Sequence, residues 1–172
     1  MKKATKKKAA SSSRGQAAAQ DAIALLKADH RQAEEWFEQF EDTNRGSRKT
    51  KLAGQICEAL RMHMIVEEEI FYPAFLAAAK EEDIHHEAIV EHAGAKNLIA
   101  QIEGSSPSDD YFDAKVKVLS EMIKHHVREE EQRDGMFAKA RQSGMDLRAL
   151  GEAITARKRE LMGGRAPTRM AA

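Results

Sequence analysis

A chain of 172 residues, 42% apolar and 33% charged, can bury one real core, and its 28 basic and 28 acidic residues cancel. A single cysteine, Cys57, excludes an internal disulfide and suits a reducing, cytoplasmic setting. No apolar run nears the ~18 residues that cross a bilayer, and no apolar secretion segment stands at the start, so no membrane partner is expected.

The neutral balance hides a polarity. Lys2, Lys3, Lys6, Lys7, Lys8 and Arg14 fall in the first 20 residues, which hold no acid, so the other 152 carry six net negative charges. Residues 1–18 are Lys-, Ala- and Ser-rich, which predicts a disordered, solvated basic tail. Contact with nucleic acid or an anionic surface through it would be unspecific.

From about Asp21 a helical period begins: Ile23, Leu26, His30, Ala33, Phe37 and Phe40 recur at spacings of three and four. Asn44-Arg45-Gly46 predicts the end of this first helix. Ser47 is the expected cap of a second, with the stripe Leu52, Ile56, Leu60, His63, Glu67, Ile70 and Phe71, and Pro73 kinks or ends it. A third starts near Asp83 and carries Ala88, His92, Ala95, Ile99 and Ile102 until Gly104-Ser105-Ser106-Pro107. Ser108 is the expected cap of a fourth, with Phe112, Val116, Leu119, Ile123, His126, Glu130 and Phe137 on one stripe and Gly144 as its stop. A shorter fifth covers about Asp146 to Met162. The expected fold is all-α: an antiparallel up-down four-helix bundle at 19–145, an extra C-terminal helix at 146–162 and a flexible tail at 163–172.

One ligand pattern occurs twice. His30 is followed by His63 and Glu67, and His92 by His126 and Glu130, with offsets of 62, 63 and 63 positions between the copies. In each His-x-x-x-Glu pair the two side chains share one helix face. Burying such polar groups without partners costs ~2–7 kcal/mol each. Six of them on inward stripes therefore call for a common explanation, and a metal centre supplies one. No cysteine lies near enough for a thiolate zinc site.

These segments resemble the hemerythrin-like HHE cation-binding domains. The matching pieces are Leu25–His30, His63–Pro73, Glu91-His92 and His125–Glu131, within about residues 20–142. The resemblance implies a non-haem di-iron centre in a four-helix bundle. His30, His63, His92 and His126 become iron ligands, and Glu67 and Glu130 bridging or terminal carboxylates, for two iron ions. The small-molecule ligand implied is O2, peroxide or nitric oxide, in redox or oxygen sensing or stress response. Two departures stand out. Oxygen-carrying members have a His-x-x-x-His pair on the third helix, where this chain has Ala88 and His92. They also space the last His and its carboxylate by five, where His126 and Glu130 are four apart, so His125 competes with His126. Water, Glu87, Glu91 or Tyr72 can fill the gap at Ala88.

Glu68, Glu69 and Glu131 turn away from the stripe and read as solvated or as orienting groups; Glu91 and Glu129 are further candidates to orient an imidazole. His85 and His86 read as ordinary histidines at a helix start, and Cys57 as a small buried apolar residue. Two alternatives compete with the redox reading: a peroxide-decomposing, catalase-like metalloenzyme, and a metal-stapled interaction module whose tail touches nucleic acid.

Overall fold

The computed structural model describes residues 20–163; the tail readings lie outside these residues except at Gly163, which is the last residue of the C-terminal helix. The elements are α1 (Ala22–Glu41), α2 (Gly46–Val66), a π turn (Glu67–Phe71), α3 (Tyr72–Ala79), α4 (Glu82–Glu103), α5 (Phe112–Glu131), α6 (Met136–Gln142) and α7 (Leu147–Gly163). No strand occurs among the described residues, and no helix among them is long and apolar enough to cross a membrane. α1 pairs with α2 and α4 with α5, giving two antiparallel hairpins that close into a four-helix bundle, with α7 packed along α1 and α2.

Asp21 caps α1 by accepting the Ala24 N–H at 2.7 Å. Other expected boundaries move. Arg45 precedes α2 and Gly46 is its first residue, so Ser47 lies inside the helix and gives no cap. Ser108 is not the cap of α5 either: the connection is closed by Asp109, which accepts the Ser106 N–H at 2.8 Å, and the helix begins at Phe112. The fourth helix does not run on to Gly144. It stops at Glu131, and Gln132 turns extended at ψ 166° before α6. Gly135 permits the turn: a Cβ there would stand 2.3 Å from the Glu129 carbonyl oxygen. Phe137, expected on the α5 stripe, sits on α6, which folds back across the end of the bundle.

The kink at Pro73 takes the form of the π turn. The Tyr72 N–H bonds to the Glu67 carbonyl five residues back. Proline lacks an N–H and crowds the carbonyl four residues before it, and one widened turn relieves both problems. The apolar interior is split. One cluster holds Phe37, Phe40, Ile56, Leu60, Ile99, Leu119 and Ile123; the other holds Ile23, Leu26, Phe71, Tyr72, Phe75, Met136, Phe137 and Ile154. A layer of buried polar side chains separates them.

Candidate metal centre

That layer is made of His30 from α1, His63 from α2, Glu67 from the π turn, His92 from α4, and His126 and Glu130 from α5, all buried, with Glu67 0% and Glu130 1% exposed. The structure brings together all six residues singled out in the sequence. His30, His63, Glu67 and Glu130 form one group and Glu67, His92 and His126 another; within each, the potential ligand atoms lie within 4.8 Å of one another. Both carboxylates touch both halves. Glu67 Oε2 is 3.1 Å from His63 Nε2 and 3.3 Å from His92 Nε2. Glu130 places Oε2 3.4 Å from His30 Nε2 and Oε1 3.7 Å from His126 Nε2. His126 faces the interior, whereas the His125 side chain is 54% exposed and stands 3.3 Å from Glu91.

Four further carboxylates set the rings. Nδ1 of His30 lies 2.8 Å from Glu131, that of His63 3.0 Å from Asp29, that of His92 2.9 Å from Glu68, and that of His126 2.7 Å from Glu91. These pairs obey the sequence repeat. The acid just before each lone His (Asp29, Glu91) holds the histidine of its own hairpin. The acid just after each Glu (Glu131, Glu68) holds the lone His of the other hairpin. Glu69 and Glu129, the remaining candidates, take no imidazole hydrogen bond among the described residues: Glu69 pairs with Arg157 and Glu129 lines a neighbouring cleft. Asp29 was not singled out as an orienting group in the sequence, although its place just before His30 parallels that of Glu91 before His92, which was the available signal.

A carboxylate only accepts, so each Nδ1 donates and each Nε2 keeps its lone pair turned inward. Nε2 of His30 and His63 then stand 3.0 Å apart, and those of His92 and His126 3.3 Å. Facing lone pairs at that separation need a proton or a cation near them. Two nitrogens each about 2.1 Å from one ion and at right angles to each other are ~3.0 Å apart, which matches. Glu67 Oε1 and Glu130 Oε2 are buried with no hydrogen-bond partner, a further mark of a donor set fitted to cations.

Tyr72 reaches into this centre. Its hydroxyl is 3.1 Å from His92 Nε2, 3.5 Å from His126 Nε2 and 3.1 Å from Glu130 Oε1. Five residues along an α-helix turn a side chain ~140° out of line. The π turn brings Tyr72 round to the side of Glu67, and its hydroxyl stands 3.4 Å from Glu67 Oε2. Phe137 stacks on His30 at 5.8 Å and closes that end. His85 is half-buried with its ring edge-on to Tyr72, and His86 is exposed.

Burial and charge divide the titrating groups. Burial pushes His30 down to about 4. It opposes protonation of His63 as well, but the Glu67 charge and the Asp29 hydrogen bond outweigh it and lift His63 to about 10. Burial, reinforced by the Glu67 charge, raises Glu130 to about 8. Burial also raises the Tyr72 phenol well above its ordinary range, with the Glu67 and Glu130 charges adding to it. The His30 hydrogen bond holds Glu131 down at about 2.

The family model described as "Hemerythrin HHE cation binding domain" matches residues 21–138. This chain belongs to that family. A crystal structure of a hemerythrin HHE cation binding domain-containing protein from Mycobacterium kansasii superposes with a TM-score of 0.70 at 22% identity, covering 84% of this chain and 89% of that one. It shares the fold. A curated protein of Nostoc sp. described as a DNA nickase is 31% identical over 107 residues, which is 62% of this chain and 30% of that protein. The match thus spans less than a third of that relative's length.

Proposed function

We propose that this chain is a non-haem di-iron protein whose two ions bind or react with O2, peroxide or nitric oxide, in redox or oxygen sensing or stress response. The observation that carries the reading is the pair of inward-facing Nε2 couples, His30/His63 and His92/His126, joined by Glu67 and Glu130. His30 and His63 would hold one ion, His92 and His126 the other, with Glu67 and Glu130 spanning both. Bound there, iron supplies a redox couple and open positions for a small ligand. The protein's own part is orientation and exclusion of water. Asp29, Glu68, Glu91 and Glu131 hold the rings. Tyr72 would complete the His92/His126 half, its hydroxyl standing 3.1 Å from both His92 Nε2 and Glu130 Oε1 while burial holds the proton on the oxygen. A cytoplasmic setting accords with the one cysteine, Cys57, being buried and free.

Elemental analysis and an absorption spectrum of aerobically purified protein, with and without azide, test this. About two irons per chain and azide-sensitive charge-transfer bands are expected. Substoichiometric iron after growth in ample iron would overturn the reading. Glu67→Gln should weaken the dinuclear site, and unchanged metal content and spectrum would remove Glu67 as the spanning ligand.

Peroxide decomposition is a second reading, favoured by buried Ala88, which leaves the His92/His126 group a protein nitrogen short of the oxygen-carrying pattern. Oxygen release from peroxide, equal in wild type and His126→Ala, would end it. The nickase-described relative and the six basic residues of the first 20 support a nucleic-acid contact as a third reading. Salt-titrated DNA binding should weaken when residues 1–18 are deleted, and unchanged affinity would exclude the arm.

A further inference from the structure

Where α1 finishes and α5 begins, a cavity of about 320 Å³ opens between the two helices. Its floor is Phe37 and Phe40 of α1 with Val116 and Ser120 of α5, each no more than 3% exposed. Glu41 of α1, Lys49 of α2, and Asp113 and Lys117 of α5 stand around it. Phe37 is seven residues past His30 and Ser120 six before His126, so about 9–10 Å of helix separates the cavity from those imidazoles. None of the six candidate metal ligands lines it.

We propose that this cavity binds one free aromatic α-amino acid with a ring hydroxyl, of tyrosine type. The Ser120 hydroxyl is buried without a hydrogen-bond partner, which is unfavourable unless another polar group reaches it. Phe37, Phe40 and Val116 beside it suit a ring, and a hydroxyl at the far end of that ring would meet Ser120. The surrounding charges have both signs. Lys49 and Asp113 pair with each other, and the Lys49 ammonium lies 5.1 Å from the centre of the Phe40 ring. Glu41 and Lys117 are exposed, stand on different helices, and have no side-chain partner among the described residues. The two helices run antiparallel: Phe40 near the end of α1 meets Phe112 at the start of α5, and His30 meets Glu131 at the other end. The negative end of the α1 dipole therefore lies beside the positive end of the α5 dipole. An ammonium is favoured at the first, with Glu41, and a carboxylate at the second, with Lys117. A plain amine or a plain acid satisfies only one of them. Size agrees, since ~150 Å³ of apolar space already accepts benzene and ligand sites begin near ~300 Å³. The site is built from side chains outside the metal centre and stands apart from the di-iron reading.

Equilibrium dialysis of radiolabelled L-tyrosine against the full chain as purified should show one saturable site, with a Kd on the order of a millimolar or tighter. Tyramine lacks the carboxylate and hydroxyphenylpropionate the ammonium, and each should compete about threefold more weakly than tyrosine or worse. L-Phenylalanine should bind about fivefold more weakly, and that preference should vanish in Ser120→Ala. Glu41→Ala and Lys117→Ala change only exposed side chains, and each should weaken tyrosine about threefold. Azide, a ligand for metals, should leave tyrosine binding unchanged. Any of four results would overturn the proposal: no saturable binding up to the solubility limit of tyrosine, unchanged affinity in both charge variants, a preference over phenylalanine that survives Ser120→Ala, or displacement of tyrosine by azide.

Discussion

Nε2 of His30 on α1 and Nε2 of His63 on α2 face each other at 3.0 Å, while each ring turns its Nδ1 to a carboxylate from elsewhere in the fold. The second hairpin repeats the relationship with His92 and His126, and the predictions below follow from it.

Asp29 holds His63, and Glu91 holds His126 in the same role. Asp29→Ala or Glu91→Ala frees one ring and leaves every first ligand in place. Removing such a partner typically costs 10–100-fold in metal affinity. Competition with a chelator measures it, and wild-type affinity in both variants would refute the orienting role.

Metal uptake should release protons. His63 at about 10 and Glu130 at about 8 both hold a proton at neutral pH in the metal-free cluster, and a cation must displace them. Release of about two protons per chain at pH 7, and affinity rising as pH climbs through 8, are expected by pH-stat and chelator competition. Metal-free stability runs the other way. Both groups bind a proton in the native state that the unfolded chain has let go, Glu130 above its ordinary 4.5 and His63 above 6.5. Their contributions are full below those values and are lost as pH rises through about 8 and about 10. His30, lowered from 6.5 to about 4, adds stability as pH rises between those two values, so the net decline should set in above about 6.5 in denaturant melts of the metal-free chain.

Tyr72→Phe keeps the apolar packing and deletes only the hydroxyl near His92, His126 and Glu130. Lower occupancy in the His92/His126 half and loss of any phenolate charge-transfer band from the iron(III) form are expected. An identical spectrum and metal content would show that the hydroxyl is a bystander.

Gly151 lets α7 rest on the start of α1. An added Cβ would stand 2.3 Å from the Gln20 carbonyl oxygen and 3.0 Å from the Ala22 nitrogen, and backbone cannot step aside as a side chain does. Gly151→Ala should therefore cost ~1–3 kcal/mol in a thermal or denaturant melt. It should also loosen the Lys158–Asp29 pair that α7 carries, and an unchanged melt would contradict that close packing.

Much of this was legible before any coordinates. The three-and-four spacing that runs through His30, His126 and Glu130 puts them on inward stripes, and the 62–63-residue repeat pairs the hairpins. The same stripe separates His126 from His125. Other features were not legible, because they depend on pairs far apart in the chain. Glu131 meets His30 across 101 positions. The break at Gln132 depends on Gly135 passing close against the Glu129 carbonyl, and local propensity says nothing of that approach. The Pro73 distortion was visible as a kink, but its form, a π turn that swings Tyr72 inward, was not.

The linear pattern by itself determined the four main helical stretches, their apolar faces and the identity of the six inward polar side chains, since periodicity along one helix is a local property. Tertiary structure alone decided which acid steadies which ring, where Tyr72 points, and that α1 and α5 enclose a cavity lined by Ser120. Those are distances between separate elements, set by how whole helices pack rather than by the residues along any one of them.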